Sequence, residues 1–450
     1  MLSELSNAKN AQEKVVFIMK SLIYLFISLI LVFGLISCDI IKADNGGNGD
    51  SGAAGENGNA DSGNNDGYAD KNDDEIDGDN GDESEDDNTP EYETDENGFV
   101  YTLLDNGTYS VGGSENLSLS EIVIPDSFNG KAVTRISHNA FLGMSELTAI
   151  SIPEGIESIG DCAFYGCSEL TGVELPDSLI SIGNEAFYSC WSLTSVSLGE
   201  GLTSIGQGAF FGVAITVLTC PDDLTSIGKS AFEGCSSLAE VTFPSSLKII
   251  GETAFCRCKS LKSVSVPASV KSISEGAFKN CSALSSLTIE NGVLSIGISA
   301  FEACTAIKSV TVPDSVTDIG YAAFAYCEGI EDVIIGNGVQ TIGNSAFDGC
   351  ESLVNLTLGD SVNSIGTRAF YACTALSSVT LPSSVRSICS QAFYECTSLN
   401  EVIFENTEGW WYNQDIDDNS GTDIPASDLS DKSTAATYLT TTYYCYYWKR

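Results

Sequence analysis

Cysteines are the residues of this sequence whose type and spacing offer the most chemistry. Sixteen occur in 450 residues, and ten of them follow a phenylalanine by three positions at a nearly constant interval. These ten, the thiol ladder, are Cys167, Cys190, Cys235, Cys258, Cys281, Cys304, Cys327, Cys350, Cys373 and Cys396. Two copies of the pattern carry Met144 and Val213 instead. The position therefore requires a modest apolar side chain, and we predict that the ladder thiols are buried and free.

Disulfide and metal chemistry are the alternatives for these thiols. Stacked thiols about 5 Å apart are within the Cα distance of a disulfide, although in-register side chains point the same way. Cys256 and Cys258 form one Cys-x-Cys pair without the two further ligands that a tetrahedral metal site needs. One bridge between two of Cys162, Cys220, Cys389 and Cys445, which also lie outside the ladder, remains an alternative. We predict no metal site and no cofactor.

Other catalytic groups are scarce. The only histidine, His138, takes a position where other copies carry Asp161, Asn184 or Gln207. The sequence therefore offers almost no candidate for a histidine general base or a catalytic triad. The many Ile-Gly steps occur one per copy, where they serve the bend, and form no phosphate-binding loop. We predict no catalytic residues.

Two acidic clusters test this prediction. Asp415, Asp417 and Asp418 follow Trp410 and Trp411, which leaves a carbohydrate-active enzyme as a weak alternative to a polar loop. The second cluster, Asp73, Glu75, Asp77 and Gly78, resembles a calcium loop, but its twelfth position is Ser84.

The net charge of −42 excludes nucleic acid as a partner, because phosphate binding requires clustered Lys and Arg and the chain has 20 of them against 62 Asp and Glu.

A repeat of 23 residues must position all these groups. Its phenylalanines are Phe141, Phe164, Phe187, Phe210, Phe232, Phe255, Phe278, Phe301, Phe324, Phe347, Phe370 and Phe393, with one interval of 22 residues. A period of this length is typical of stacked coils. We predict a right-handed solenoid of about twelve units, built from short parallel β-strands and turns and capped at both ends.

Each coil contains two extended runs. Val173 and Leu175 alternate with polar residues as a half-buried strand, and Ile182 marks a second, shorter element before Gly183 permits a bend. The short interval between Phe210 and Phe232 predicts a local irregularity without a break in the solenoid.

The N-terminal segments predict export. An apolar run ends in Leu35-Ile36-Ser37-Cys38, which resembles a lipoprotein signal peptide over residues 1–37, with Met1 or Met19 as the start. The resemblance implies lipid attachment at Cys38. The alternative is an uncleaved signal anchor, for which the run is short.

The remaining boundaries follow composition. Residues 38–97 are acidic and almost free of apolar side chains, so we predict a disordered tether. Residues 98–139 form an N-terminal cap and first coil, with strands on both sides of Asn106-Gly107. The solenoid covers residues 140–404, and an aromatic cap covers residues 405–450.

The repeat resembles the BspA-like leucine-rich repeats, whose unit reads Leu-x-x-Val-x-Leu-Pro-x-x-Val-x-x-Ile-Gly-x-x-Ala-Phe-x-x-Cys. The match covers roughly residues 120–404. The resemblance implies display at the surface or outer membrane of a bacterium and adhesion to host matrix or plasma glycoproteins or to other bacteria. Its motif is structural and transfers no functional residue.

Because the sequence predicts no catalytic or metal-binding residues, an exposed binding surface is the remaining candidate for the function. The polar positions on both sides of the buried strand residue should face outward and form a weakly charged strip. The candidate residues are Glu174, Ser195, Ser197, Ser263, Ser265, Ser286, Thr288, Ser309, Thr311, Asn355, Thr357, Ser378 and Thr380. They bind a partner or merely keep a solvated sheet soluble. A second candidate is the set of aromatic residues at the coil corners, Tyr165, Tyr188, Phe211, Tyr371 and Tyr394.

The sequence thus predicts a non-enzymatic, lipid-anchored adhesin that contacts an extracellular protein or glycan and meets the membrane only through its N-terminal lipid. The alternatives are a self-associating structural component of the cell envelope and, with less support, the carbohydrate-active enzyme.

Overall fold

The computed structural model describes residues 92–114, 117, 119–414 and 420–450. They all lie in the second of two compact units, Glu85–Arg450. The predicted signal peptide, with Cys38, and most of the predicted tether lie outside the described residues, as do Asp415, Asp417 and Asp418.

Each coil of the solenoid contributes a long and a short strand. The long strands are β4 Glu121–Val123, β7 Ala149–Ser151, β9 Gly172–Glu174, β11 Ser195–Ser197, β13 Val217–Thr219, β15 Glu240–Thr242, β17 Ser263–Val266, β19 Ser286–Ile289, β21 Ser309–Val312, β23 Asp332–Ile335, β25 Asn355–Thr357, β27 Ser378–Leu381 and β29 Glu401–Phe404. The short strands are β8 Ser158–Ile159, β10 Ser181–Ile182, β12 Ser204–Ile205, β14 Ser226–Ile227, β16 Ile249–Ile250, β18 Ser272–Ile273, β20 Ser295–Ile296, β22 Asp318–Ile319, β24 Thr341–Ile342, β26 Ser364–Ile365 and β28 Ser387–Ile388.

Both kinds of strand pair in parallel with their equivalents in the next coil. Val173 lies beside Val196, and Ile182 lies beside Ile205. The solenoid of about twelve 23-residue units predicted from the sequence is therefore confirmed. The short strands run in two long ladders, from β6 (Lys131–Ile136) to β16 and from β18 to β28, whereas the long strands divide into shorter sheets.

A third face is the corner around Ala-Phe, where successive coils hydrogen-bond without forming strands. The N–H groups of Cys162, Phe164 and Gly166 donate to carbonyls of the next coil at 2.8, 2.7 and 2.8 Å. In every one of the twelve coils, the residues two positions before and two positions after the phenylalanine have positive φ, as at Cys162 (φ 54°) and Gly166 (φ 72°). Because most residues avoid this conformation, the three inter-coil bonds must compensate its strain.

The core is a column of phenylalanine rings. The twelve rings stack nearly parallel, with centroids 5.0–5.5 Å apart. All are buried. Glycine is required at the bend for a different reason from the one that the sequence indicates. A Cβ on Gly183 would lie 2.6 Å from the Asp161 nitrogen, so this glycine is required by the close approach of two coils.

The N-terminal cap consists of β1 Tyr92–Thr94, β2 Phe99–Leu103, β3 Tyr109–Gly113, β5 Ser127–Phe128 and β6 Lys131–Ile136. The predicted hairpin is present, because β2 and β3 pair antiparallel. Strand β1 adds to β2 and lies inside the segment assigned to the tether, so the folded part includes residues from Tyr92.

The C-terminal cap contains helices that the sequence does not predict. Its elements are β30 Trp411–Asn413, β31 Thr422–Asp423, α1 Ala426–Ser430, α2 Lys432–Thr437, a π-helical turn Tyr438–Thr442 and β32 Tyr447–Lys449. Asp431 caps α2 by accepting the Thr434 N–H at 2.8 Å. Strand β32 pairs antiparallel with β28, and the buried rings of Trp410 and Trp448 cover Phe404 of the last coil.

Candidate binding face

The outward residues of the long strands lie on one side of the solenoid, which we call the long-strand face. All thirteen candidate residues on it are exposed, while the strand residue between each pair is turned toward the core. The register places equivalent residues side by side, for example Ser263 beside Ser286 and Ser265 beside Thr288. The predicted outward orientation is confirmed, and binding by these residues stays a prediction.

Ten further exposed residues occupy equivalent positions on this face, and the sequence prediction left them out. They are Glu121, Val123, Ala149, Ser151, Val217, Thr219, Glu240, Thr242, Asp332 and Ile334. The same period of 23 would have found them, because the strand register includes every coil. The face is thus more apolar and more acidic than a Ser/Thr strip, with Val217 and Ile334 about half exposed at 51% and 49%. No Lys or Arg falls within the long strands.

The long-strand sheets break at the 22-residue interval, as they also do between β7 and β9, β19 and β21, and β25 and β27, where the interval is 23 residues. The predicted irregularity is seen in the cleft at this break, which residues of both coils line. Strand β11 pairs with β9, and β13 pairs with β15, but β11 and β13 belong to separate sheets. Behind them the short strands β12 and β14 remain paired. The rings of Phe187, Phe210 and Phe232 also continue to stack, at 5.2 and 5.3 Å.

The corner aromatics, the second candidate, are mostly parts of stacks. Tyr165, Tyr188 and Phe211 are half-buried, with ring centroids 5.0 and 4.5 Å apart. Burial raises the pKa of Tyr188 to about 12. Arg368 lies over the Tyr371 ring at 3.9 Å. Such contacts give these rings a packing role.

Two more exposed aromatic side chains were missed by the sequence reasoning. Trp191 is 55% exposed and Tyr326 is 51% exposed. A Cβ on Gly212 would clash with the Trp191 ring, and one on Gly349 would lie 2.9 Å from Tyr326, so each ring lies over a glycine of the next coil. Trp191 replaces the Ser168 of the preceding coil, and that substitution was the available signal.

The ladder thiols are buried free thiols, as predicted. The sequence did not reveal that each one donates a hydrogen bond to the carbonyl oxygen of the phenylalanine in the preceding coil, with Sγ···O distances of 3.1–3.4 Å. Burial raises the pKa of Cys167 and Cys235 to about 12. A protonated thiol is a poor nucleophile and a poor metal ligand, so these groups serve the core.

His138 has a structural partner. Its Nδ1 accepts the Asp161 N–H at 3.0 Å, just as Asp161 Oδ1 accepts the Asn184 N–H at 2.6 Å and Asn184 Oδ1 accepts the Gln207 N–H at 2.9 Å. This bond requires an unprotonated Nδ1, and it connects the first coil to the second. Among the described residues, no group of three or more His, Cys, Asp or Glu side chains is arranged to hold a metal ion. Nor does that part of the chain contain a helix long and apolar enough to cross a membrane.

Comparison with known proteins identifies the repeat. Residues 114–238, 204–331 and 317–408 match the family described as BspA type leucine rich repeat region (6 copies). The chain belongs to the BspA type leucine-rich repeat family. Solenoids of this family are generally non-enzymatic. No curated protein sequence is significantly similar to the chain.

Three solved structures illustrate the likeness of this BspA type repeat protein to bacterial proteins. A leucine-rich repeat protein from Bacteroides ovatus is 32% identical, with a TM-score of 0.55, and the match covers 68% of this chain and 87% of that one. A leucine rich cell surface protein from Faecalibacterium prausnitzii is 27% identical, with a TM-score of 0.46 over 72% and 97% of the two chains. A leucine rich repeat protein from T. pallidum is 28% identical, with a TM-score of 0.36 over 48% and 90%.

Proposed function

We propose that this protein is a lipid-anchored adhesin of a bacterial cell surface, whose long-strand face contacts an extracellular protein or glycan. The observation that carries the proposal is the face itself. Its exposed residues repeat in register on a backbone fixed by the phenylalanine column, so many weak contacts are presented at constant spacing. Ordering this surface on binding costs little entropy, because the scaffold is already rigid.

The proposal assigns no catalytic step to the described residues. His138 is engaged with the Asp161 N–H, and burial raises the pKa of ladder thiols such as Cys167 and Cys235. Charge also argues against the self-associating alternative, because copies of a chain with net charge −42 repel one another. Sedimentation of the purified chain at increasing concentration tests this point: assembly without any ligand supports the envelope component instead.

Binding to immobilised matrix and plasma glycoproteins tests the adhesin. The full-length chain should bind at least one of them. Replacing the paired residues Ser265 and Thr288 by arginine should weaken that binding about tenfold or more, because bulky side chains interrupt the face. Ser272→Arg, on a short strand and equally exposed, is the matched control. Equal loss in the control would place binding elsewhere.

Lipid attachment has its own test. The Leu-Ile-Ser-Cys sequence ending at Cys38 supports lipidation, which should make the chain incorporate a labelled fatty acid in a lipoprotein-processing bacterium. Cys38→Ala should abolish the label and release the protein from the membrane fraction. Retention of the Cys38→Ala chain in the membrane would support the uncleaved signal anchor.

A further inference from the structure

The break between β11 and β13 opens a cleft in the long-strand face. Its volume is about 550 Å³, and its walls are residues 194–198 and 200 on one side and 216, 217 and 219–222 on the other. Small-molecule sites commonly have volumes of about 300–1,000 Å³. The cleft therefore has room for a compact ligand, and more room than a single side chain would fill.

The cleft is closed at both ends. Before the strands, Ala214 N–H donates to the Leu193 carbonyl at 3.0 Å, and after them Thr225 N–H donates to the Thr203 carbonyl at 2.9 Å. The unbroken stack of Phe187, Phe210 and Phe232 holds the two coils together behind it. An added β-strand does not fit between edges that are tied at both ends, so the space suits a compact ligand.

Hydroxyl groups and apolar atoms share the walls. Ser195 and Ser197 of β11 and Thr219 of β13 are exposed there, beside the half-exposed Val217. A hydroxyl both donates and accepts hydrogen bonds, which matches the hydroxyls of a sugar. The apolar Val217 side chain matches the C–H face of a sugar ring.

Two carboxylates at the rim give the cleft acceptor character. In the preceding coils, Glu154 accepts the Asp177 N–H at 3.2 Å, and Asp177 accepts the Glu200 N–H at 3.1 Å. This series of bonds ends at Glu200, which lines the cleft together with Asp222. Between Arg135 and Lys229 the sequence contains no Lys or Arg, so an anionic ligand would meet only repulsion.

We propose that this cleft binds a neutral saccharide unit of a surface glycan, with Glu200 and Asp222 accepting hydrogen bonds from sugar hydroxyls. The inference rests on the proposed function, because it names a ligand class for one place on the same face. A lysine or arginine side chain of a protein partner would also satisfy the carboxylates, but it would leave the hydroxyl-bearing walls without partners.

Titration calorimetry of the full-length chain tests the proposal. The probes are lactose, N,N′-diacetylchitobiose and mannobiose, with 3′-sialyllactose as the anionic comparison and trilysine as the cationic one. At least one neutral disaccharide should bind. Thr219→Trp, which places a bulky side chain in the cleft, should abolish that binding, and Glu200→Gln should weaken it about tenfold, as expected for loss of a charge-assisted hydrogen bond. Ser272→Trp and Asp360→Asn, both exposed and outside the cleft, should leave it unchanged.

Three results would overturn the proposal. The chain shows no heat of binding with any neutral disaccharide, or Thr219→Trp binds a disaccharide as tightly as the unchanged protein does. The third is that trilysine alone binds and that Glu200→Gln loses this binding. Failure of the adhesin proposal is seen separately in the matrix-binding assay. A chain that binds a matrix glycoprotein through Ser265 and Thr288 but takes up no disaccharide remains an adhesin without this site. If the chain binds a saccharide but attaches to no matrix or plasma glycoprotein, the cleft proposal stands and the proposal of a host-matrix ligand is rejected.

Discussion

Two parts of the solenoid share a core and differ in their charges. Residues 136–228 contain 11 Asp and Glu and no Lys or Arg, whereas residues 229–404 contain 16 Asp and Glu and 10 Lys and Arg. The phenylalanine stack runs through both parts, with ring centroids 5.0 Å apart at Phe164–Phe187 and 5.4 Å apart at Phe278–Phe301. Buried residues therefore determine the coil, and exposed ones diverge freely on it.

The difference also shows how in-register stacking handles charge. Residues 23 positions apart become neighbours, so Lys229 pairs with Glu252 and Lys308 pairs with Glu331, at 2.8 and 3.1 Å. In the cation-free part, the neighbours Glu154 and Asp177 carry the same charge. There the carboxylate of Glu154 accepts backbone N–H groups of the next coil, which takes the place of a cation. The acidic surface of this part is thus compatible with close coil stacking.

The largest predicted effect, alkaline unfolding, is one that both parts should share. Burial raises the thiol pKa of Cys167 and Cys235 to about 12, and it also raises those of Cys190, Cys281 and Cys327. A folded-state pKa above the unfolded value means that stability is complete below about pH 8.5 and is lost as the pH rises. Each thiol should remove about 1.4 kcal/mol per pH unit above its unfolded pKa.

Limited proteolysis with mass spectrometry between pH 8 and pH 10.5, under reducing conditions, measures this loss along the chain. Cleavage should increase together in residues 136–228 and 229–404, and return to pH 8 should restore protection. Opening of one part alone would show that the two do not share one core.

Truncating the phenylalanine column is the next largest change. Phe187→Ala and Phe278→Ala each remove a fully buried ring between two stacked neighbours, so each should lower the free energy of unfolding by about 3–5 kcal/mol. Urea denaturation followed by circular dichroism measures both. Because the ring spacing is similar in the two parts, the two losses should be similar. A much smaller loss for Phe187→Ala would mean that the acidic part is packed less firmly.

The period of the buried residues was enough to predict the coil, because each copy repeats the same local burial pattern. Other features depend on contacts that no local pattern encodes. Cys162 and Arg368 have positive φ although neither is glycine, since inter-coil hydrogen bonds hold them there. Helix α2 forms from Ser, Thr and Ala by packing on the last coil. The missing residue after Phe210 predicted an irregularity, but the cleft depends on how two strands lie in space.

Exchanging the residues of the thiol ladder should have a moderate effect of opposite sign in the two parts. Val213→Cys adds a donor toward the Phe187 carbonyl, which is equivalent to the carbonyls that the ladder thiols use in other coils, and should stabilise the solenoid by about 0.5–1 kcal/mol. Cys281→Val removes the bond to the Phe255 carbonyl, 3.2 Å long, and should cost about 1 kcal/mol. Thermal melting at pH 7 compares them. Val213→Cys destabilising the protein would show that the ladder position is selected for shape alone.

Added salt should give the smallest effect, and it separates the two parts most directly. Screening weakens repulsion among the carboxylates of residues 136–228, which have no Lys or Arg to pair with, so local protection there should rise by a few tenths of a kcal/mol between 0.05 and 0.5 M NaCl. In residues 229–404 the exposed pairs such as Lys229–Glu252 are worth about 0.2–1 kcal/mol each, and screening reduces that contribution while also relieving repulsion among unpaired acids. Hydrogen exchange by segment should therefore slow in the first part and change less in the second.

Lys229→Met serves as the control, because it removes one pair and should shift only the coils around it toward the behaviour of the acidic part. An equal response of both parts would mean that the carboxylates of the first are already neutralised by their backbone N–H partners.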